Sequence, residues 1–396
     1  MIASVEGRAA WIGDGARRAR TRRPPVAIAV RRFSGPLADE VFVHCRPAAG
    51  LADVAREAAA TYEALFDALA SEGVGPEAIV SETVFLRQIR EHFMLVRSAR
   101  SRVLGTAGVH ATFIGQRPLA SVARLEVSAV AIVPRGRAFS SMDGTRAKVV
   151  RLGDETTLYA GSIHGSGRDA YDEGLEMFRV AEGLLADAGM SFADVVRTWI
   201  YVRDIDRHYA ALNRARREFF RRCGIERRPA STCVQGIPFP GVRDFSMTIH
   251  AATSPRGRHI APMRTPLLNE AWTYGADFSR GLRVVGANEV TLHVSGTASI
   301  DEAGRTVHAG RFEAQVDRML DNIASLLAGQ GATFDDLASA TAYLRNPDDA
   351  PVLRSMFRER GFDGFPCAIV EAPLCRPDLL CETEAVAVLP VVTGDR

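Results

Sequence analysis

Two glutamates stand two positions apart in the last β-rich stretch of the chain, LLCETEAVAVLP (379–390). On an extended strand, Glu382 and Glu384 project to the same face, while Cys381 and Thr383 face the other side. The two carboxyl groups then lie within about 7 Å of each other, and poor hydration raises the pKa of one of them. The pattern predicts a carboxylic acid that is protonated near neutral pH and can act as a general acid. The alternative is that both glutamates line a polar rim of the sheet.

The elements that must position these glutamates occur three times along the chain. Each copy has an amphipathic helix, a short turn containing glycine, an acidic helix start and a strand followed by an arginine: Arg87, Arg203 and Arg345. A second helix follows in each copy, and each copy closes in a β-rich stretch, at 124–134, 244–255 and 379–390. This repetition predicts three α/β units in tandem, in which helix and strand bury against each other.

The unit boundaries follow from the repeats and from one Pro/Arg-rich segment, SPRGRHIAPMRTP (254–266). We expect a flexible basic N-terminus over 1–24, a divergent first unit over 25–136, a second unit over 137–254, a linker over 255–266, and a third unit with the candidate active site over 267–392. The basic run RRARTRR (17–23) is interpreted as a solvated terminus, with a nucleic-acid arm as the alternative.

Composition and charge narrow the class of protein further. The 396 residues are 47% hydrophobic and 24% charged, and the net charge of +2 is nearly balanced, so we expect a globular protein with no nucleic-acid partner. No run approaches the roughly 18 apolar residues of a membrane span, which predicts a cytoplasmic protein with no membrane partner. The six cysteines lack CxxC spacing and the histidines lack metal-ligand spacing, so we expect no disulfide, metal or cofactor.

The middle unit carries a family resemblance. The segments LLADAGMSFADVVRTWIYVRDIDRHYAALNRARREFF (184–220) and RPASTCVQ (228–235) resemble the RidA/YjgF signature. The third unit resembles it through SGTASID (295–301) and CRPDLLCETEAVAV (375–388). The resemblance implies the α/β (α+β) fold of that family, with three tandem chorismate-mutase-like units, each a mixed β-sheet backed by two helices. It also implies an intramolecular pseudo-trimer, with ligand clefts between neighbouring units.

A narrower resemblance covers the C-terminal half. YGADFSRGLRV (274–284), HVSGTASIDEAGRTVHAG (293–310) and LCRPDLLCETEA (374–385) follow VRTWIYVRDI (196–205) in an order that resembles the chorismatases. These RidA-related enzymes release pyruvate from chorismate. The resemblance implies a chorismatase-like enzyme of secondary metabolism whose substrate is chorismate or a similar carboxylated enol ether.

The same resemblance implies roles for particular residues. Glu382 is implied as the acid that protonates the enol-ether methylene, because it stands seven residues after Cys375, which would touch the substrate ring. Cysteine at that position resembles the branch that forms 3-hydroxybenzoate, whereas Ala298 in SGTAS favours the dihydrodiol branch, so the product is left open. The remaining substrate-binding residues are expected to be the arginine clamps Arg345, Arg280 and Arg216, together with Tyr209, Asn213, Gly296 and Glu384.

Two other functions are kept as alternatives. A RidA-like imine or enamine deaminase would need the family's carboxylate-binding arginine, which is absent from PASTCVQ (229–235). A non-catalytic small-molecule-binding protein on the same frame is the second alternative. For the chain as a whole we expect a small carboxylated substrate and a monomeric pseudo-trimer, and further weak self-association is left open.

Overall fold

The computed structural model describes residues 26–48, 51, 53–105, 111–119, 122–135, 139–143, 147–239, 241–254 and 259–391. The predicted N-terminus, 1–24, lies outside the described residues. Within the described ranges the chain forms three six-stranded sheets and six α-helices. None of these helices is long and apolar enough to cross a membrane.

The first unit supplies five strands and two helices. They are β1 (Val26–Ser34), β2 (Ala38–Pro47), α1 (Val54–Ser71), β3 (Ile79–Leu86), α2 (Ile89–Leu104), β4 (Thr112–Gly115) and β5 (Leu125–Pro134).

The second unit contains β6 (Phe139–Asp143), β7 (Ala147–Leu152), β8 (Glu155–Ile163), α3 (Ala170–Asp187), β9 (Val195–Val202), α4 (Ile205–Arg222), β10 (Ala230–Gln235), β11 (Ile237–Pro238) and β12 (Phe245–Thr253). The third contains β13 (His259–Pro262), β14 (Gly281–Val285), β15 (Val290–Ala298), α5 (Phe312–Ala328), β16 (Leu337–Leu344), α6 (Ala350–Glu359), β17 (Cys367–Glu371) and β18 (Cys381–Leu389).

The three sheets share one pattern, which confirms the predicted repeat. Their strand orders are β1-β2-β5-β3-β4-β11, β6-β7-β8-β12-β9-β10 and β13-β14-β15-β18-β16-β17. The strand after the second helix of each unit runs parallel to its neighbour, whereas the closing strand is antiparallel to both of its neighbours. The sheets are therefore mixed, as expected.

Local sequence explains why each copy folds in the same way. The turn after the first helix of each unit contains a glycine with positive φ, at Gly73 (71°), Gly189 (71°) and Gly331 (74°). This backbone conformation favours glycine because it has no Cβ. Capping boxes at Ser191 and Thr333 then start short 3₁₀ turns that lead into β9 and β16. The helices bury their apolar stripes on the sheets, for example through Phe178 of α3.

Contacts between the units are made by backbone as well as side chains. The short strand β11 of the second unit pairs with β4 and completes the first sheet. The Asn288 side chain of the third unit accepts hydrogen bonds from the backbone N–H groups of Leu37 and Ala38 in the first. Part of the predicted linker is ordered differently from expectation, since 259–262 forms β13, the edge strand beside β14.

Candidate active site between the second and third units

Glu382 lies on β18 at the boundary between the second and third sheets, and only 6% of it is exposed. Tyr343, which stands opposite Glu382 in β16, donates from its hydroxyl to Glu384 Oε1 at 3.2 Å. The two glutamates thus lie on the sheet face that is turned toward the second unit.

Glu384 is ion-paired across the boundary. Arg197 Nη2 donates to its Oε2 at 2.6 Å, and Trp199 Nε1 donates to its Oε1 at 2.8 Å. Both donors belong to β9 of the second unit, and Arg197 is 1% exposed. The charge of Glu384 is therefore matched by a buried guanidinium.

Glu382 has a different environment. Burial raises its pKa from the ordinary 4.5 to about 8, and the nearby charge of Glu384 adds to that increase. Arg197, Arg280 and Arg376 lower the pKa but do not cancel the effect of burial. Glu382 is thus a proton donor at neutral pH, and it lies beside the ion-paired Glu384. Enzymes that use general acid catalysis often combine two carboxyl groups in this way.

Arg280 is a buried cation facing this glutamate. Its Nε donates to the carbonyl of Asn269 at 3.2 Å, and its guanidinium lies 5.2 Å from the centre of the Tyr274 ring. Burial lowers the pKa of Arg280 to about 10, so the side chain stays charged at neutral pH. Its Nη2 has no hydrogen-bond partner among the described residues, which leaves a buried donor for a ligand oxygen.

Arg376 is a second cation of the site that sequence reasoning missed. It lowers the pKa of Glu382, and its Nη1 donates to the carbonyl of Gly304. The signal was available, because Arg376 directly follows Cys375 in the CRPDLL string. Two arginines beside one protonated carboxyl can hold a ligand that carries two carboxylates.

The opposite wall comes from the second unit. Tyr209 of α4 interacts with the Asn213 side chain on the same helix and with Cys375 across the boundary. Arg216 Nη2 donates to Asn213 Oδ1 at 2.6 Å, while its buried Nε has no partner among the described atoms. Cys233 of β10 is a further neighbour of Cys375 that the sequence did not single out.

Cys375 is a neutral thiol in this setting. Burial raises its pKa to about 11, with the charge of Glu382 as the next cause. A thiol is a weak nucleophile until it ionises, so the chemistry open to Cys375 at neutral pH is packing and hydrogen bonding. All six cysteines of the chain are free thiols in the structure.

Gly296 leaves space for the acid. A Cβ at this position would overlap Glu382 Oε1. The backbone N–H of Gly296 donates at 3.0 Å to Thr232 Oγ1, which also accepts from Arg197 Nη2 at 2.6 Å. This hydrogen-bond chain ties β15 of the third unit to β10 and β9 of the second.

Two of the predicted site residues have other surroundings. Arg345 donates to the carbonyls of Leu374, Arg376 and Leu379, so its guanidinium holds the loop that carries Cys375. Arg203, at the same point of the second unit, likewise donates from Nε to a carbonyl just before β12. Nε and Nη2 of Arg345 thus bind backbone carbonyls, and its role as a substrate clamp stays a prediction.

Ala298 is the other such residue. It is 4% exposed and belongs to the hydrophobic core of the third unit. Its carbonyl accepts from Asn322 of α5 at 3.1 Å. The structure thus gives Ala298 a packing role at the end of β15, although it stands opposite Glu382 in the strand register.

The positions equivalent to Glu382 in the other two sheets differ chemically. The residue after the start of each closing strand is Ser246 in β12 and Glu126 in β5. Glu126 is hydrogen-bonded through Oε2 to His44 Nε2 at 3.1 Å. The three boundaries are therefore not equivalent, since one carries a serine, one a histidine-bonded glutamate, and one Glu382 with Arg280 and Arg376.

No metal site is evident in the part of the chain that the structure describes, where no three His, Cys, Asp or Glu side chains are grouped to hold an ion.

Comparison with known proteins gives matches that cover this region. The family model described as Endoribonuclease L-PSP matches residues 157–252 and 275–389, which is more than half of the chain. A 3-hydroxybenzoate synthase from Streptomyces hygroscopicus is 27% identical over 223 residues, covering 49% of this chain and 64% of that protein. A chorismatase from Streptomyces rapamycinicus is 32% identical over 120 residues, covering 28% of this chain and 36% of that protein. Each alignment thus spans less than two thirds of the relative's length.

A solved structure resembles most of the fold. A crystal structure of a chorismatase superposes with a TM-score of 0.60 at 19% identity, covering 78% of this chain and 93% of that chain. At this level of identity the likeness establishes the fold.

Proposed function

The chain belongs to the Endoribonuclease L-PSP family, which is the RidA/YjgF family, and on that premise we propose that it is a chorismatase-like enzyme. Its reaction would release pyruvate from chorismate or a similar carboxylated enol ether. The observation that carries the proposal is the buried Glu382, whose pKa of about 8 keeps it protonated beside Arg280 and Arg376.

The geometry supports a division of labour within the site. Arg280 has an unpartnered buried donor that suits one substrate carboxylate, and Arg376 supplies a second positive charge for the other. Glu384, held by hydrogen bonds from Arg197 and Trp199, would place a carboxylate close to the cation that forms on the substrate.

The reaction begins with proton transfer from Glu382 to the methylene carbon of the enol ether. Water adds to the resulting oxocarbenium carbon, and the proton that this water releases restores Glu382. The hemiketal then collapses, with cleavage of the C–O bond to the ring's oxygen substituent, into pyruvate and a ring diol. One water is consumed for each pyruvate released, and loss of one water from the diol would give a hydroxybenzoate.

The aromatic product is the branch that the site favours. Cys375 contacts Tyr209 in the site, whereas Ala298 is packed in the core of the third unit. The match to a protein named 3-hydroxybenzoate synthase supports the same branch. We therefore propose 3-hydroxybenzoate as the product from chorismate.

The test is turnover of chorismate by the purified chain, with pyruvate measured by a coupled dehydrogenase and the ring products separated by chromatography. Glu382→Gln is expected to lower kcat by about a hundredfold or more, because the amide cannot donate the proton. Glu126→Gln, at the equivalent position of the first sheet, is the matched control and should retain activity. Cys375→Ala should shift the product toward the dihydrodiol.

Two results would contradict the proposal. Absence of pyruvate release by the wild type at high enzyme concentration would remove chorismate as substrate. Wild-type turnover that survives in Glu382→Gln would remove Glu382 as the acid.

A further inference from the structure

Two aromatic rings hold the guanidinium of Arg280. Its central carbon lies 5.2 Å from the ring centre of Tyr274 and 5.4 Å from that of Phe278, and both rings are half-buried. Contacts of this kind stabilise a cation that has lost its hydration. Together with the hydrogen bond from Nε to the Asn269 carbonyl, the rings fix the position of the guanidinium. Nη2, which has no partner among the described atoms, stays available for a ligand oxygen.

Gly304 contacts both the Tyr274 ring and Arg376. It ends a turn in which its N–H donates to the carbonyl of Asp301 at 3.0 Å, and its φ of 73° favours glycine. A Cβ at this position would lie 2.7 to 2.8 Å from three atoms of the Tyr274 ring, so the ring packs directly on the glycine backbone. The carbonyl of Gly304 accepts a hydrogen bond from Arg376 Nη1. One buried glycine thus joins the ring beside Arg280 to the second arginine.

The two arginines are close enough to repel each other. Burial is the main cause of the lowered pKa of Arg280, and the positive charge of Arg376 adds to it, while Glu270 opposes both. Long cationic side chains that repel each other move apart toward water unless contacts hold them. The Tyr274 ring and the Gly304 carbonyl supply such contacts, one for each arginine. The separation of the two positive charges therefore depends on the packing of this ring on this glycine.

We infer that Tyr274 and Gly304 are positioning residues that fix the spacing of Arg280 and Arg376 and thereby make the site selective for a ligand with two carboxylates. The inference rests on the proposed function, because it takes these two arginines as the carboxylate-binding groups. A dicarboxylate of matching length gains charge-assisted hydrogen bonds from both arginines without moving either one. A monocarboxylate leaves one of the two cations without its anion, so it binds more weakly.

The experiment measures the binding of stable aromatic probes to the wild-type protein by calorimetry. 3-(Carboxymethoxy)benzoate carries a ring carboxylate and an ether-linked carboxylate, whereas 3-methoxybenzoate and phenoxyacetate each keep one of the two. None of the probes is an enol ether, so none can be turned over by the proposed reaction. Selectivity is defined as the Kd of the tighter monocarboxylate divided by the Kd of the dicarboxylate. We expect a selectivity of at least about tenfold, because the second carboxylate adds charge-assisted hydrogen bonds.

Two pairs of variants test the positioning residues. Gly304→Ala should lower the selectivity by about tenfold, because the new Cβ forces the Tyr274 ring, and with it Arg280, to shift. Gly310→Ala is the matched control, since its φ is also 73° but a Cβ there meets no described atom within 4 Å. It carries the same backbone strain and should keep the wild-type selectivity. Tyr274→Leu should lower the selectivity about threefold to tenfold through loss of the cation–π contact, whereas Tyr274→Phe keeps the ring and should preserve it.

Several results would overturn the inference. One is equal affinity of the wild type for the dicarboxylate and for the tighter monocarboxylate. Another is a loss of selectivity in Gly310→Ala as large as that in Gly304→Ala, because backbone strain would then explain both. A third is unchanged selectivity in Gly304→Ala, and a fourth is an equal loss in Tyr274→Phe and Tyr274→Leu, which would exclude the ring as the cause.

Two features keep the test decisive. If Gly304→Ala does not fold, the comparison of Tyr274→Leu with Tyr274→Phe decides on its own. If the wild type releases no pyruvate from chorismate, the proposed reaction is wrong, but the measured selectivity for two carboxylates still tests the positioning of Arg280 and Arg376.

Discussion

The raised pKa of Glu382 predicts a specific dependence of stability on pH. The folded protein keeps the Glu382 proton up to about pH 8, whereas the unfolded chain releases it near the ordinary value of 4.5. Between these values the folded state binds more protons, so the free energy of unfolding falls as pH rises. Glu382→Gln removes this titration, because an amide stays neutral at every pH in the range.

The size of the effect follows from the two pKa values. Each pKa unit corresponds to about 1.36 kcal/mol, so the full change between pH 4.5 and pH 8 is about 5 kcal/mol. As pH rises from 4.5 to 8, the free energy of unfolding of Glu382→Gln should increase relative to that of the wild type. Below pH 4.5 and above pH 8, the difference between the two proteins should stay constant. Because Glu382 is buried, solvent screening should reduce the effect little.

Urea unfolding of both proteins at several pH values inside and outside the window measures the difference in unfolding free energy. The Glu126→Gln protein is measured in parallel, because it loses a buried carboxyl at the equivalent position of the first sheet. The argument would be refuted if the difference in unfolding free energy between the wild type and Glu382→Gln did not change with pH. The Glu126→Gln protein retains Glu382, so loss of the pH dependence in that variant as well would show that the dependence does not belong to Glu382 alone.

Three further substitutions test the supports of the site. Gly296→Ala should lower kcat without global unfolding, because the new Cβ overlaps Glu382 Oε1, whereas Gly183→Ala on α3 meets open space and should leave turnover unchanged. Arg345→Met should lower the free energy of unfolding by about 1–3 kcal/mol, as measured in urea, since three carbonyls lose their donor. Arg197→Met leaves its buried carboxylate partner unpaired and should cost about 3–5 kcal/mol, a loss that unchanged urea midpoints would contradict.

The sequence predicted the repeated unit well because its signals are local. Turn glycines, capping residues and helix periodicity act within a few residues, and each recurs in every copy, as Gly73, Gly189 and Gly331 show. The two-residue spacing of Glu382 and Glu384 also sufficed to place both on one face, since strand alternation is a local property. The other candidate site residues around Glu382 came from the resemblance to the chorismatases, because residue spacing alone does not show which side chains bind a substrate.

What sequence reasoning missed depends on contacts between units. The pairing of β11 with the first sheet joins residues about 120 positions apart, and no local pattern announces it. Arg345 and Arg376 look alike as cations in the sequence, and both donate to backbone carbonyls, but the loop conformation brings only the charge of Arg376 close enough to lower the pKa of Glu382. Cys233 became a neighbour of Cys375 only through the packing of two units.

The fusion of three units into one chain offers a physical reason why the proposed catalytic acid, Glu382, lies at one boundary. A buried glutamate with a pKa near 8 costs several kcal/mol of stability at alkaline pH, and a whole domain is stable by only about 5–15 kcal/mol. Three identical units would each carry that cost on their own small core. In one chain β18 carries this cost, while Ser246 and the His44-bonded Glu126 occupy the equivalent positions. Divergence of the copies thus lets one boundary hold a destabilising catalytic group while the other two stabilise the frame around it.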